Sequence, residues 1–160
     1  MKNLLLVIDV QKDFINDNTK NIVSKIDDLI NSNKYDYVVF TKFINDKDSN
    51  FYSDLNYKGC MTEEGRKIIL DTKSNKVFEK RVYTAVNEEL KKYLDNNNID
   101  NVYLCGIDTD ACVLKTALDL FESNINVFVL KDYCMSHSGK IFHDNAILML
   151  EKLIGKNSII

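Results

Sequence analysis

An apolar segment at residues 4–8 lies near the start of the chain and is followed directly by an acid, Asp9. A strand that is apolar on both faces belongs in the middle of a parallel sheet that helices cover on both sides. Ligands of such sheets bind outside the carboxyl ends of the strands. We therefore expect Asp9 to lie at the edge of a sheet where chemistry can take place.

Strand and helix patterns alternate along the rest of the chain. This alternation predicts a parallel sheet with right-handed crossovers, and therefore an α/β fold. No linker or internal repeat interrupts it, so we predict one domain over residues 1–160. Strands are expected at residues 4–9, 37–43, 76–80, 102–105, 125–130 and 158–160, and helices at 22–30, 63–69, 86–94, 110–121 and 146–154.

Composition limits the classes of partner. The net charge is −3 at pH 7, whereas nucleic-acid binding usually needs a concentrated basic face. No stretch of about 18 apolar residues occurs, so we expect no membrane span. Residues 1–3, which precede the first strand, are too short for a signal peptide. The four cysteines form no CxxC pair and no compact motif with His137 or His143. We therefore expect a cytoplasmic protein with free thiols and no zinc site.

Two later residues are expected at the same edge of the sheet as Asp9. Lys80 ends the third predicted strand, and Cys112 falls in the first turn of the helix after the fourth strand. A helix N-terminus and a nearby ammonium both lower the pKa of a thiol and favour the nucleophilic thiolate. Asp9 can accept the thiol proton or hold the lysine. Each residue alone has an ordinary structural explanation, but their convergence favours a nucleophilic site.

The polar connection at residues 44–75 has a length typical of a lid or a binding loop. Its aromatic residues either wall a pocket for a small planar substrate or merely pin the loop to the body. His137 follows the fifth strand at the same edge, where it can contact substrate or a neighbouring subunit. Our substrate-binding candidates are Gln11, Phe14, Phe51, Tyr83, Asp108 and His137, and further wall candidates are Tyr52 and Tyr57.

Several segments together resemble the isochorismatase-like cysteine hydrolases. They are residues 4–11, Lys80, the nonapeptide CGIDTDACV at 105–113, residues 127–134 with Ser136, and His143 ahead of Ala146. The resemblance covers nearly the whole chain outside the 44–75 loop. It implies a three-layer α/β/α sandwich around a mainly parallel, six-stranded, Rossmann-like sheet. It also implies hydrolysis of a C–N bond through an acyl- or carbamoyl-thioester, with Cys112 as nucleophile, Asp9 as base and Lys80 as electrostatic partner.

The resemblance further implies a cis peptide bond between Ile107 and Asp108. Such a bond turns the Asp108 amide toward the oxyanion, so the backbone amides of Asp108 and Cys112 are expected to form the oxyanion hole. The Asp108 side chain departs from the family, in which many members have a small apolar residue here. Its carboxylate should oppose thiolate formation. Either it points to solvent or pairs with Arg81, or it recognises a cationic or hydrogen-bond-donating substrate.

A second departure concerns metal binding. Nicotinamidases of this family bind a metal through an Asp-x-His motif and a further histidine after the second strand. Residues 43–48 contain no histidine here, and Asp46 and Asp48 alone would form only a weak, hydrated cation site. We therefore predict no metal and no other cofactor. Thr109 and Asp110 are interpreted as caps of the following helix, and His143 as a packed histidine.

Three functions compete at this point. The leading hypothesis is a metal-independent amidase for a small amide or ureide, in a homo-oligomer such as a dimer or tetramer because relatives commonly associate. A vinyl-ether hydrolase of the isochorismatase type is second, and Cys112 counts against it because those enzymes act without a cysteine nucleophile. A non-catalytic binding or thiol-sensing protein is third. Asp108 supports this third function, whereas Asp9 and Lys80 oppose it.

Overall fold

The computed structural model describes all 160 residues, which form a parallel sheet between two layers of helices. Five strands lie in the order β3-β2-β1-β4-β5, and every pairing is parallel. The predicted α/β/α sandwich is therefore confirmed. The strands are β1 (Asn3–Ile8), β2 (Tyr37–Phe43), β3 (Val77–Lys80), β4 (Asn101–Ile107) and β5 (Asn126–Met135); the α-helices are α1 (Lys20–Asn31), α2 (Asn50–Ser53), α3 (Glu63–Arg66), α4 (Glu88–Asn97), α5 (Leu114–Glu122) and α6 (Lys140–Ile154).

Alternate residues of β1 pack against the two helix layers. Leu5 and Val7 lie in one buried cluster with the apolar face of α1. Leu4, Leu6 and Ile8 lie in a second cluster with the apolar faces of α4, α5 and α6. Both faces of β1 are therefore buried, as its unbroken apolar sequence predicts.

The prediction of a sixth strand at residues 158–160 is wrong, because only one residue of this segment pairs with the sheet. After Gly155, which has φ 92°, the chain makes a 3-10 turn at Lys156–Ser158. Only Ile159 then pairs with Val129 of β5, as an isolated parallel bridge. The turn occupies residues that a strand would need, so the sheet has five strands and not six.

Two helices begin four or more residues away from their predicted starts. α5 starts at Leu114, because a π-helical turn, Thr109–Val113, precedes it. α6 starts at Lys140, well before residue 146, and its first turn exposes Ile141 and Phe142. Because those side chains are not buried, no core-facing periodicity marks the start of the helix. No helix combines the length and apolar character that crossing a membrane requires.

The carboxyl ends of β1, β3 and β4 meet at one edge of the sheet. Ile8 pairs with Gly106 of β4, and Phe43 of β2 pairs with Lys80 of β3. Gly106 has φ 121°, and a Cβ atom there would lie 2.1 Å from Ile8 O. Only glycine allows this approach, which brings Asp9 beside the segment that follows β4.

Candidate active site

The side chain of Lys80 joins the acid and the cysteine at this edge. Its Nζ lies 2.6 Å from Asp9 Oδ2 and 3.4 Å from Cys112 Sγ. It also donates to the backbone oxygens of Val82 and Tyr83, each at 3.0 Å. The Lys80 and Asp9 side chains are 3% and 0% exposed, so solvent screens their interaction little. Lys80 thus contacts both of the other residues that the sequence singled out.

Lys80 carries a fixed positive charge. Burial alone would lower its pKa, but the Asp9 carboxylate and the Cys112 sulfur together outweigh burial and raise the pKa. Its Nζ also lies 5.3 Å from the centre of the Phe43 ring, which adds a cation–π contact. The side chain is therefore an ammonium at neutral pH.

Thr41 binds the carboxylate of Asp9 through a hydrogen bond, and the sequence did not predict it as a site residue. Its Oγ1 donates to Asp9 Oδ1 at 2.6 Å and accepts from Asp9 N at 3.1 Å. Asp9 has φ 46°, a left-handed conformation that a non-glycine residue keeps only where its surroundings enforce it. Asp9 Oδ2 is buried and faces Lys80 Nζ at 2.6 Å, so the two carboxylate oxygens have different partners, Thr41 and Lys80. The only sequence signal for Thr41 is a hydroxyl inside the apolar strand β2.

Cys112 lies in the π-helical turn and not at the N-terminus of an α-helix. Burial raises the pKa of its thiol well above the ordinary value, the Asp9 carboxylate raises it further, and Lys80 opposes both. The expectation of a lowered thiol pKa is therefore wrong for the resting protein. Loss of solvation outweighs one ammonium, and the resting group is a neutral thiol.

The peptide bond between Ile107 and Asp108 is cis, as the family resemblance implies. The Asp108 carbonyl accepts from the backbone N–H groups of Ala111 and Val113, at 3.2 and 2.9 Å. These bonds close a tight turn that contains the Cys112 amide, while the Asp108 amide belongs to the cis bond just before it. The assignment of these two amides to an oxyanion hole stays a prediction.

A pocket of about 270 Å³ opens onto Cys112, and most of its lining residues are apolar, five of them aromatic. Phe51 makes edge-to-face contacts with Phe43 and Tyr83, with ring centroids 5.0 and 4.9 Å apart. These contacts both pin the loop and wall the pocket, so the two interpretations of the loop aromatics coexist. A small planar molecule suits a space of this size and character. The aromatic lining consists of Phe14, Phe43, Phe51, Tyr57 and Tyr83.

Gln11 and Tyr52 do not line this pocket. The Gln11 amide is completely buried and donates to the backbone oxygens of Phe43 and Arg66, both at 2.9 Å. Its Oε1 accepts from Phe43 N at 2.7 Å. The prediction of Gln11 as a substrate contact is therefore wrong, because its amide ties the segment after β1 to two neighbouring backbones.

Asp108 is buried and bonded to His137, so the predictions that it points to solvent or pairs with Arg81 are wrong. Its Oδ1 accepts from His137 N at 2.7 Å, and its Oδ2 lies 2.5 Å from His137 Nδ1. Arg81 pairs with Asp46 instead. The hydrogen bond to Asp108 raises the pKa of His137, while burial raises the pKa of Asp108.

Neither Thr109 nor Asp110 caps a helix. The capping prediction is wrong because the π-helical turn moves the first α-helical turn beyond both residues. Thr109 Oγ1 lies 2.8 Å from His143 Nδ1, and Asp110 lines the pocket. His143 is half-buried, and burial lowers its pKa. Its placement agrees with a packed histidine.

The residues after β2 do not fit a metal ion of the kind that the resemblance implies for nicotinamidases. Asp46 Oδ1 accepts from Asp48 N at 3.0 Å, and Asp46 Oδ2 pairs with Arg81. Both oxygens of Asp46 are therefore engaged within the chain. No three acidic, histidine or cysteine side chains converge to hold a metal ion.

A parallel α/β sandwich with an acid, a lysine and a cysteine at its carboxyl edge defines a class of hydrolase-like proteins, and comparison with known proteins identifies the family. Residues 3–157 match the model of the Isochorismatase domain, so the chain belongs to the isochorismatase family. Isochorismatase family protein 1A of Dictyostelium discoideum is 26% identical over 156 residues, which are 94% of this chain and 69% of that relative. Isochorismatase domain-containing protein 2A of Mus musculus is 48% identical over 50 residues, which are 31% of this chain and 24% of the relative.

Solved structures share the fold over nearly the whole chain. N-carbamoylsarcosine amidase from Thermoplasma acidophilum matches with a TM-score of 0.83 and 23% identity, covering 97% of this chain and 94% of that one. A nicotinamidase from Bacillus subtilis matches with a TM-score of 0.81 and 24% identity, covering 99% of both chains. At these identities the likeness establishes the fold alone.

Proposed function

We propose that this protein is a cysteine hydrolase that cleaves a C–N bond of a small amide or ureide through a thioester on Cys112. Asp9 is the base and Lys80 the electrostatic partner. The observation that carries the proposal is the position of Lys80 Nζ, 2.6 Å from Asp9 Oδ2 and 3.4 Å from Cys112 Sγ, beneath an aromatic pocket. A nucleophile, a base and a cation in contact are the parts that thiol catalysis needs.

The first half of the reaction forms the thioester. Asp9 Oδ2 takes the thiol proton as Sγ attacks the carbonyl carbon, and the oxyanion that develops accepts hydrogen bonds from the amides of Asp108 and Cys112. Asp9 then gives the proton to the amide nitrogen, the C–N bond breaks, and ammonia or an amine leaves. The raised pKa of the resting thiol makes the base essential, because little thiolate exists before substrate arrives.

The second half of the reaction hydrolyses the thioester. Asp9 accepts a proton from water, the hydroxide attacks the acyl or carbamoyl carbon, and the C–S bond breaks. The leaving thiolate takes the proton back, and a carboxylic or carbamic acid leaves. Lys80 stays protonated throughout and offsets the negative charge that moves between Cys112 and Asp9. No step uses a metal, consistent with the engaged oxygens of Asp46.

The wider setting forms part of the same proposal. Residues 1–160 act as one domain, and the substrate is a small molecule that fits a pocket of about 270 Å³. Four apolar side chains of α6, namely Ile141, Phe142, Leu148 and Met149, are between 47% and 69% exposed and support a homo-oligomer. All four cysteines are free thiols, which supports a reducing, cytoplasmic location.

Mass spectrometry of trapped intermediates tests this function. The wild-type protein is mixed with a panel of small amides and ureides, quenched with acid, and mapped by peptide. We expect an acyl or carbamoyl adduct on Cys112 and none on Cys60, Cys105 or Cys134, which do not line the pocket and serve as internal controls. Lys80→Met should abolish the adduct.

Two results would count against the amidase. An adduct of equal yield in Lys80→Met and wild type would remove the role of the lysine. Hydrolysis of a vinyl ether such as isochorismate by Cys112→Ala, with no adduct in wild type, would favour the isochorismatase-type reaction instead. A protein that binds amides without any turnover would be the non-catalytic alternative.

A further inference from the structure

His137 lines the pocket but has no part in the reaction steps above. Its ring lies against two pocket aromatics, with centroids 5.9 Å from Phe14 and 6.2 Å from Tyr57. The side chain is 34% exposed, so part of the ring is open to the pocket. A half-open polar ring among aromatic walls is placed to contact whatever fills the space.

Three hydrogen-bonding atoms of His137 are already bonded within the chain. Its backbone N donates to Asp108 Oδ1 at 2.7 Å, and its ring Nδ1 lies 2.5 Å from Asp108 Oδ2. Its backbone O accepts from Asn16 Nδ2 at 2.8 Å and from Asn18 Nδ2 at 3.1 Å. Nε2 is therefore the one polar atom of this residue without a partner. Because the ring is held before a ligand arrives, binding through Nε2 would cost little conformational entropy.

The charged groups around the ring favour its protonated form. Asp108 and Asp110 face it from the turn after β4, and Tyr57 faces it from the loop after β2 with a raised pKa that keeps the phenol neutral. The hydrogen bond from the ring to Asp108 raises the pKa of His137, so the imidazolium persists to a higher pH than in a free histidine. In that form Nε2–H is a hydrogen-bond donor.

We propose that His137, held by Asp108, is the specificity-determining residue of the pocket. Its Nε2–H donates a hydrogen bond to an acceptor, other than the scissile carbonyl, on a neutral planar amide. This inference rests on the proposed amidase function and adds the chemical class of its substrate.

Binding is tested with matched aromatic amides that differ by one atom. Benzamide has no acceptor in its ring, whereas the three pyridinecarboxamides carry one ring nitrogen at different positions. The measurement is the NMR shift of the imidazole nitrogens in 15N-histidine-labelled protein. The Cys112→Ala variant is used because, without the proposed nucleophile, it should not hydrolyse the amides. His137 and His143 are the only histidines, so His143 serves as the internal reference.

We expect at least one pyridinecarboxamide to shift the Nε2 resonance of His137 while leaving His143 unchanged, and benzamide to shift it much less. Binding should weaken as the pH rises through the pKa of His137. Asp108→Asn should move that loss of binding to lower pH. Equal shifts for all four amides, or no shift at His137 with any of them, would overturn the proposal.

Kinetics in the wild-type background supply the second test. His137→Asn places its amide near the position of Nδ1, where it keeps the bond to Asp108 but offers the pocket no donor. His137→Gln can place a donor near the position of Nε2. We expect His137→Asn to raise KM for the preferred pyridinecarboxamide about tenfold relative to benzamide, with kcat nearly constant, and His137→Gln to restore part of it.

The two proposals fail in different ways. If the amidase proposal is wrong, no adduct forms on Cys112, yet the shifts of His137 can still be measured because they need no thiol. If only the inference about His137 is wrong, adducts form while His137→Asn leaves the ratio of the two KM values unchanged.

Discussion

Asp9 and Asp108 are two buried acids that follow neighbouring strands, and they have different partners. Asp9 follows β1 and meets Lys80, whose side chain is 3% exposed and always charged. Asp108 follows β4 and meets His137, whose side chain is 34% exposed and whose pKa is raised by its hydrogen bond to Asp108. The first pair holds a constant charge against the thiol, while the second carries a charge that depends on pH. The carboxyl edge of the sheet thus carries one pair, Asp9 and Lys80, suited to bond cleavage, and a second pair, Asp108 and His137, suited to substrate recognition.

The largest expected difference between the two acids is in catalysis. Asp9→Asn removes the proposed base and should lower kcat by about 10²–10⁴-fold. Asp108→Asn keeps the shape of the side chain and should act mainly on KM, by roughly tenfold or less. Steady-state kinetics on an amide identified by trapping would measure both. Equal losses of kcat in the two variants would contradict the division of roles.

The next effect is on stability. Lys80→Met leaves the buried Asp9 carboxylate without its ion-pair partner and should lower the free energy of unfolding by about 3–5 kcal/mol. His137→Asn leaves Asp108 bonded to a backbone N–H and should cost about 1–3 kcal/mol at most. Urea denaturation measures both values.

A double variant checks the cause of that loss. Asp9→Asn combined with Lys80→Met removes both charges, so it should recover most of the stability lost in Lys80→Met while staying inactive. A double variant as unstable as Lys80→Met would mean that packing, and not the unpaired carboxylate, dominates the cost.

A matched pair of threonines gives a smaller contrast. Thr41→Val removes the hydroxyl that donates to Asp9 Oδ1 and leaves that buried oxygen unsatisfied, at a cost of about 1–3 kcal/mol with a loss of activity. Thr109→Val removes only the contact with His143 and should cost about 1 kcal/mol with KM and kcat nearly unchanged. Loss of activity in Thr109→Val as large as in Thr41→Val would show that the effect is not specific to Asp9.

The smallest effect separates the two histidines. NMR titration should give His137 a pKa above 6.5 and His143 a pKa below it, since Asp108 raises the first and burial lowers the second. Because folding raises the pKa of His137, its protonation stabilises the fold below pH 6.5, and this contribution is lost as the pH rises through the folded pKa. For His143 the sign is opposite, because folding favours its neutral form. Asp108→Asn should lower the pKa of His137 and leave that of His143 in place.

Much of the fold was predictable because burial leaves a periodic trace in the sequence. The apolar runs of β1 and β4 and the spacing in α1 and α5 correctly predict a sheet between helices. The start of α6 and the 3-10 turn at Lys156–Ser158 were missed, because exposed side chains carry no such trace. The sheet therefore has one strand fewer than the family resemblance implied.

The candidate site was predictable only in part. Asp9, Lys80 and Cys112 could be found because each stands next to a buried strand, where an acid, a lysine or a cysteine is conspicuous. Thr41 and the bond between Asp108 and His137 could not, since these contacts join residues 29 or more positions apart. Gln11 was misassigned for the same reason, because its backbone partners lie on other segments.

The sequence by itself determined the class of fold, the family and the edge of the sheet at which the reactive residues stand, because these follow from local patterns of burial. Only the tertiary structure decided how each acid is used. Asp9 and Asp108 are the same residue type after similar strands, and what separates them is the side chain that long-range packing brings to each. The pKa of Cys112 was likewise decided in three dimensions, because desolvation depends on everything that surrounds the thiol.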